Sequence, residues 1–276
     1  MTTLLELSGV ATGFGSKRVL HGVDLSVPKG SAVGVFGLNG AGKSVTMKTV
    51  VGLLRCWDGS ITFDGRDITR MGPEERVRAG MAYAPQARQL FPKMTVEQNL
   101  RLGGYLLRRS DRARFTATME RVYERFPILA QRRTQRSGSL SGGERAMLAV
   151  ARALASDPSM LLIDEPSAGL APVVIDEVFR LLGQLREDGL TILLVEQNVT
   201  FGLRLVDRAA VMQSGTVVYE GPVDRLDTAR VAKLLGVGRL LGSHLERAVG
   251  TKRTKSRPPR GAALKSSPSR RRARPR

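Results

Sequence analysis

Apolar positions near the start of the chain recur in short runs closed by glycine. Leu4–Leu7 forms one such run, Val19–Val27 a second with Val19, Val23, Leu25 and Val27 broadly alternating, and Ala32–Phe36 a nearly continuous third. This spacing predicts strands, the third buried on both faces. A glycine-rich turn follows, and over Lys43–Leu54 the positions Val45, Val50, Leu53 and Leu54 predict a helix with one buried face. Ile61–Phe63 and Met81–Ala84 predict further strands, the latter closed by Pro85. From about residue 95 to 130 the pattern becomes helical, through Leu100, Leu102, Leu106, Phe115, Met119, Val122 and Phe126. After the turn at Ser137–Gly143, Glu144–Ala155 predicts an Ala- and Leu-rich helix ended near Asp157-Pro158. Strand and helix then alternate again. Met160–Ile163 and Thr191–Val195 predict strands, Val173–Leu185 and Val199–Leu205 helices, and Ala209–Met212 with Thr216–Tyr219 a hairpin. The expected fold is α/β: a mainly parallel sheet covered on both faces, an antiparallel β portion at the N-terminus, and a helical insertion over about residues 87–155. No internal repeat is visible.

Composition adds a core and a tail. Of 276 residues, 42% are apolar, enough for one large or two modest domains. The net charge of +19 is uneven: residues 251–276 hold eleven basic residues and no acidic one, leaving 33 basic against 25 acidic elsewhere. The basic excess therefore does not by itself imply a nucleic-acid binder. Rich in proline and serine and almost without apolar residues, the stretch from 246 to 276 is expected to remain disordered beside a domain spanning 1–245. A solvated tail, contact with anionic lipid and contact with nucleic acid all remain open for it. The single cysteine, Cys56, excludes an intrachain disulfide. No signal peptide and no run long enough to cross a membrane are seen.

Gly37-Leu38-Asn39-Gly40-Ala41-Gly42-Lys43-Ser44 satisfies the phosphate-loop pattern between a predicted strand and a predicted helix, the context that pattern requires. Glycines let successive N–H groups curl around a triphosphate, the helix N-terminus adds positive potential, Lys43 reaches the β and γ phosphates, and Ser44 offers a magnesium ligand. Asp164-Glu165 follows the apolar strand at 160–163, so both carboxylates emerge at a strand's carboxyl end, where open α/β sheets place ligands. Taken alone the pair reads as a turn cap before Pro166. Beside a phosphate loop, Asp164 becomes the residue for magnesium and Glu165 the one that polarises the attacking water.

The chain resembles the nucleotide-binding subunit of an ABC transporter, and Leu140-Ser141-Gly142-Gly143-Glu144 decides it, matching the family's signature turn just ahead of a helix. Locally this is a serine cap with glycine N–H groups that can hold phosphate. The resemblance implies that Ser141, Gly142, Gly143 and Glu144 complete the ATP site of an opposing subunit. It further implies that Gln86 is the magnesium-touching glutamine and Phe14 the aromatic stacked on adenine. By their surroundings alone, Gln86 reads as a surface turn and Phe14 as an ordinary loop residue.

Three positions depart from the family pattern. Val45 stands where a second hydroxyl is usual, which removes about 0.5–1.5 kcal/mol of hydrogen bonding to nucleotide. Gln197 stands where most members have a switch histidine; its amide can donate a hydrogen bond to the γ-phosphate but cannot titrate. Ala171 stands where many members have an aspartate. Glu196-Gln197-Asn198 and Gly169-Leu170-Ala171-Pro172, with Leu90-Phe91-Pro92 and Met94–Leu100, resemble the second ATPase of branched-chain amino-acid importers. That branch implies ATP and Mg2+ as cofactors, a sister ATPase in a homo- or heterodimer, two permease subunits, an extracytoplasmic solute-binding protein, and a peripheral place on the cytoplasmic face of the membrane. The competing readings are a soluble ABC-type ATPase acting on nucleic acid or ribosomes, and an ATP-binding subunit with weak hydrolysis.

Overall fold

The computed structural model describes residues 2–86 and 89–235, all within a compact unit spanning residues 1–238. The expected boundary near residue 245 and the basic stretch after it lie outside the described residues. Two sheets organise the unit. The first is antiparallel and contains β1 (Thr3–Phe14), β2 (Lys17–Pro28), β4 (Asp58–Phe63) and β5 (Arg66–Asp67) in the order β2-β1-β4-β5. The second orders β10 (Thr216–Pro222), β9 (Arg208–Gln213), β3 (Ala32–Gly37), β8 (Thr191–Glu196), β7 (Met160–Asp164) and β6 (Met81–Ala84); all pairings in it are parallel except that of edge strand β10 with β9.

Every residue of β3, β7 and β8 is buried, because each strand separates two apolar cores. Leu161, Ile163, Ile192 and Leu194 face one core, shared with the helices. The alternate residues Met160, Leu162, Leu193 and Val195 face the other, shared with the antiparallel sheet and α1 (Lys43–Val50). A continuous apolar run is what two-sided burial demands, and each such side chain contributes about 1.5–3 kcal/mol.

The helical portion contains α3 (Val96–Gly103), α4 (Tyr105–Ser110), α5 (Arg112–Arg125), α6 (Pro127–Gln131) and α7 (Gly142–Leu154). In α5, Phe115, Thr118, Met119 and Val122 are buried at helical spacing while the arginines face out. α8 (Pro172–Glu187) and α9 (Val199–Leu205) cover the core beside β8, and α10 (Thr228–Leu234) ends the described chain. Among the described residues no helix is long and apolar enough to cross a membrane.

Three differences from the sequence reading have physical causes. The helix expected over Lys43–Leu54 stops at Val50, because Gly52 takes φ +80° and closes the turn, leaving Leu53 57% exposed rather than on a buried face. β1 runs well past Leu7. Register shifts around Gly9 break the two-residue period there, although Val10 and Ala11 remain buried. α2 (Pro73–Arg78) shows no apolar period because its buried residue is Arg76, 2% exposed, which donates to the carbonyls of Thr49, Val50, Ile68, Thr69 and Met71.

Candidate functional site

β3 delivers the chain into the loop at Gly37, and α1 begins at Lys43 with Gly42 as its N-cap. Gly42 has φ +107°, and a Cβ there would lie 2.8 Å from Leu20 Cδ2, so only glycine lets the loop turn so close to β2. The loop is braced from outside as well: Gly215 N–H donates to Ala41 O at 2.9 Å. Lys43 is 4% exposed, and its ammonium donates to Gly37 O at 2.9 Å and Leu38 O at 3.2 Å. The same ammonium stands 3.7 Å from Glu165 Oε1.

The parallel order β3-β8-β7-β6 sets the remaining groups around that lysine. Asp164 ends β7, is 3% exposed, and accepts from Ser44 Oγ at 3.2 Å and from Tyr83 Oη on β6 at 3.2 Å. Burial pushes the Asp164 carboxyl above its ordinary range, against the opposing pull of those two hydrogen bonds and of the Lys43 and Lys48 charges. Burial, followed by the neighbouring Asp164 charge, raises the Tyr83 phenol in turn. Glu165 follows at φ +48°, its N–H donating to Val195 O at 2.8 Å. Its Oε2 accepts a short hydrogen bond from Gln86 Nε2. Lys43, Ser44, Gln86, Asp164 and Glu165, scattered in sequence, thus form one bonded cluster.

An ammonium, open loop N–H groups and a helix N-terminus make this cluster an anion cradle flanked by carboxylates. The hydroxyl of Ser44 and the carboxylate of Asp164, already within hydrogen-bonding distance of each other, are the hard oxygen donors that magnesium takes. Val45 contributes no hydroxyl. The next residue, Thr46, is buried with its own hydroxyl bonded to Gly42 O at 3.1 Å, so it does not replace the missing one.

The other expected site residues make no hydrogen bond or ion pair to the side chains of this cluster among the described residues. Phe14 is 53% exposed at the end of β1, in register with Lys17. Gln197 is exposed just after β8, between buried Glu196 and Asn198, the N-cap of α9. Ser141 and Glu144 form a reciprocal cap at the start of α7: Ser141 Oγ accepts from Glu144 N at 3.3 Å, and Glu144 Oε2 accepts from Ser141 N at 2.8 Å. Glu144 also pairs with Arg132 at 3.0 Å. Gly142 is partly exposed, whereas Gly143 is buried where a Cβ would lie 2.7 Å from Val174 Cγ1 on α8.

Two residues of this region were not assigned a role from the sequence. Tyr83 reaches Asp164 only because β6 is the strand next to β7, a sheet order that local spacing does not encode. Glu196 is 1% exposed and bonds the loop after Glu165. Its signal in the sequence was a carboxylate closing a strand that is apolar from Ile192 to Val195.

A family model described as ABC transporter matches residues 20–168. The chain is 41% identical to the high-affinity branched-chain amino acid transport ATP-binding protein BraG of Pseudomonas aeruginosa, over 78% of this chain and 91% of that one. It is 37% identical to the probable branched-chain amino acid transport ATP-binding protein LivF of Archaeoglobus fulgidus, over 81% and 94%. It is 31% identical to the lipopolysaccharide export system ATP-binding protein LptB of Haemophilus influenzae, over 86% and 98%. Among solved structures it is similar to an ATP-binding cassette of an ABC transporter in its ADP conformation, with a TM-score of 0.74 and 27% identity over 91% of this chain and 100% of that one. Phosphate loop, paired carboxylates at the end of β7, signature turn and these likenesses agree: the chain belongs to the ABC transporter family as an ATP-binding, ATP-hydrolysing subunit.

Proposed function

We propose that this subunit powers import of branched-chain amino acids, pairing with a sister ATPase or a second copy of itself on two permease subunits supplied by an extracytoplasmic solute-binding protein. The observation that carries the substrate is the identity of 41% and 37% to relatives named for branched-chain amino acid transport, against 31% and 34% to those named for lipopolysaccharide export. The Gln197 and Ala171 departures support the same branch. Such a subunit works peripherally at the cytoplasmic face of the membrane, and the charge of the tail supports a contact with anionic lipid there.

In this reading the N–H groups of Asn39, Gly40 and Gly42 and the Lys43 ammonium hold the phosphates, the Ala41 N–H being turned back onto Leu38 O, and Phe14 stacks on the adenine. Ser44 Oγ, the Asp164 carboxylate and the Gln86 carbonyl oxygen would hold Mg2+, which supplies charge neutralisation at the β and γ phosphates when bound. Glu165 orients a water and accepts its proton as the water oxygen bonds to the γ phosphorus and the bond to the bridging oxygen breaks, giving ADP and phosphate. The short hydrogen bond to Gln86 and the Lys43 charge hold the Glu165 carboxylate at this post. Gln197 donates its amide N–H to the γ-phosphate. Ser141, Gly142, Gly143 and Glu144 serve the opposing subunit's nucleotide.

The test is ATP turnover and uptake of labelled leucine, isoleucine and valine in vesicles containing this chain, candidate permeases and a binding protein, with Glu165→Gln as control. Uptake of these amino acids with turnover that depends on Glu165 is expected. Turnover without response to any of the three overturns the substrate. Turnover unaffected by Glu165→Gln assigns hydrolysis to the sister site and leaves this chain a weakly hydrolysing partner.

A further inference from the structure

Beyond β8 the chain does something the phosphate-loop chemistry does not require. Glu196 places a carboxylate in the interior at 1% exposure and meets three donors there. Its Oε1 accepts from the Ser167 N–H at 2.9 Å. Its Oε2 accepts from the Ser167 hydroxyl at 2.9 Å and from the Asn198 N–H at 3.0 Å. Ser167 lies two residues beyond Glu165, in the loop that continues through Leu170 to α8. Asn198 is the residue after Gln197 and caps α9, its Oδ1 accepting from Phe201 N at 3.3 Å. One carboxylate therefore holds both loops that carry the hydrolytic side chains.

We propose that Glu196 is a positioning residue for hydrolysis: it locks the Ser167 loop and the Gln197 loop together, so that Glu165 and Gln197 move as one unit relative to the γ-phosphate. The inference rests on the roles proposed above for Glu165 and Gln197. Three observations carry it. Two of the three partners are backbone N–H groups, which can only donate, and they stand one on each oxygen of the carboxylate, so both oxygens must accept and a glutamine amide can satisfy only one of the two. The attachment points flank the functional residues: Gln197 is bracketed by the end of β8 on one side and the bonded Asn198 N–H on the other. The Ser167 loop is tied back as well, Ala168 N donating to Glu165 O at 3.1 Å and Leu170 N to Ser167 O at 3.2 Å. A pull on Ser167 is thus passed to the Glu165 backbone.

A merely structural carboxylate would also be buried and bonded, so the test must read geometry at the reacting phosphate rather than folding. The isosteric Glu196→Gln replaces one acceptor by an N–H2 that faces a donor. In the full-length chain, measured as turnover and as equilibrium ATP binding, it is expected to lower kcat by about tenfold or more, the size of one hydrogen bond to a charged group, with KM and ATP stoichiometry unchanged. In a Gln197→Ala background the same change should cost clearly less than in the parent, because one of the two positioned groups is already gone. Ser167→Ala, which removes one of the three bonds, gives a smaller loss that does not add to that of Glu196→Gln and keeps the test available if the latter does not fold. Additive losses in both backgrounds, or a fall confined to melting temperature and ATP stoichiometry, overturn the proposal. Full turnover in Glu165→Gln overturns instead the assignment on which it rests.

Discussion

The phosphate-loop end of the core and the signature turn at Ser141 start from the same physics, a glycine-bearing turn that opens a helix N-terminus, yet they sit in opposite surroundings. At the phosphate loop, side chains from β6, β7, α1 and the Gln86 turn converge on one another, and Lys43 and Asp164 are 4% and 3% exposed. At the start of α7, Ser141 and Glu144 bond each other and Arg132, and among the described residues none of them bonds to the phosphate-loop cluster. One end is assembled inside the chain by the parallel sheet. The other is a reciprocal cap closed within the first turn of its own helix. Gly143 packed on Val174, and Gly142 with Leu170 near it, tie that cap to the segment descending from Glu165.

The largest effect that separates the two ends is expected from Glu165→Gln, which removes the proposed base and leaves the cradle. Turnover should fall by about 10²–10⁴-fold while ATP binding, read by equilibrium titration, is retained. If binding is lost as well, the cluster is a single structural unit and the division of labour within it fails. Next comes Ser141→Ala, which removes the cap acceptor of α7. It should cost about 1 kcal/mol of stability and leave ATP affinity of the isolated chain unchanged, yet lower turnover of the assembled dimer; an equal loss of affinity in the isolated chain would erase the contrast between the two ends.

Asp164→Asn sharpens the comparison from the stability side. The native state holds the Asp164 proton more tightly than the unfolded chain does, so stability falls as pH rises from the ordinary value of 3.8 through the raised native one. The substitution removes that loss. The melting temperature of Asp164→Asn should therefore exceed that of the parent at neutral pH, by roughly 2–4 °C for each kcal/mol released, and the gap should close under acid. Magnesium-dependent turnover should meanwhile disappear. No gain in melting temperature would mean that the Ser44 and Tyr83 hydrogen bonds outweigh the desolvation. The smallest effect is expected from Val45→Thr, which restores a hydroxyl at the cradle: ATP affinity should tighten by about 2- to 10-fold, and an unchanged affinity would mean that this position does not face the nucleotide.

Much of this site is legible along the chain because its chemistry is local. The spacing from Gly37 to Ser44 needs only a strand before it and a helix after it, and the apolar run 160–163 points Asp164 and Glu165 out of the sheet's carboxyl end. Other parts could not be read so. The helix expected to continue to Leu54 was stopped by one residue at positive φ, and β1 continued through an irregularity that breaks the period on which strand prediction rests. α2 is anchored by a buried guanidinium meeting carbonyls, a polar solution that no hydropathy pattern announces.

The α/β class, the phosphate loop, the acidic pair and the signature turn are all readable along the chain, because each is set by neighbours within a few residues or by strand and helix periodicity. It takes the packed fold to bring Tyr83 to Asp164, Gln86 to Glu165, Gly143 against Val174, and Glu196 to both Ser167 and Asn198. Those contacts depend on the order of strands in the sheet and on which loop ends lie side by side. The backbone pairs strands by hydrogen bonds that every residue can make, so local residue patterns leave open which strands become neighbours. That choice follows from burying all the apolar faces at once.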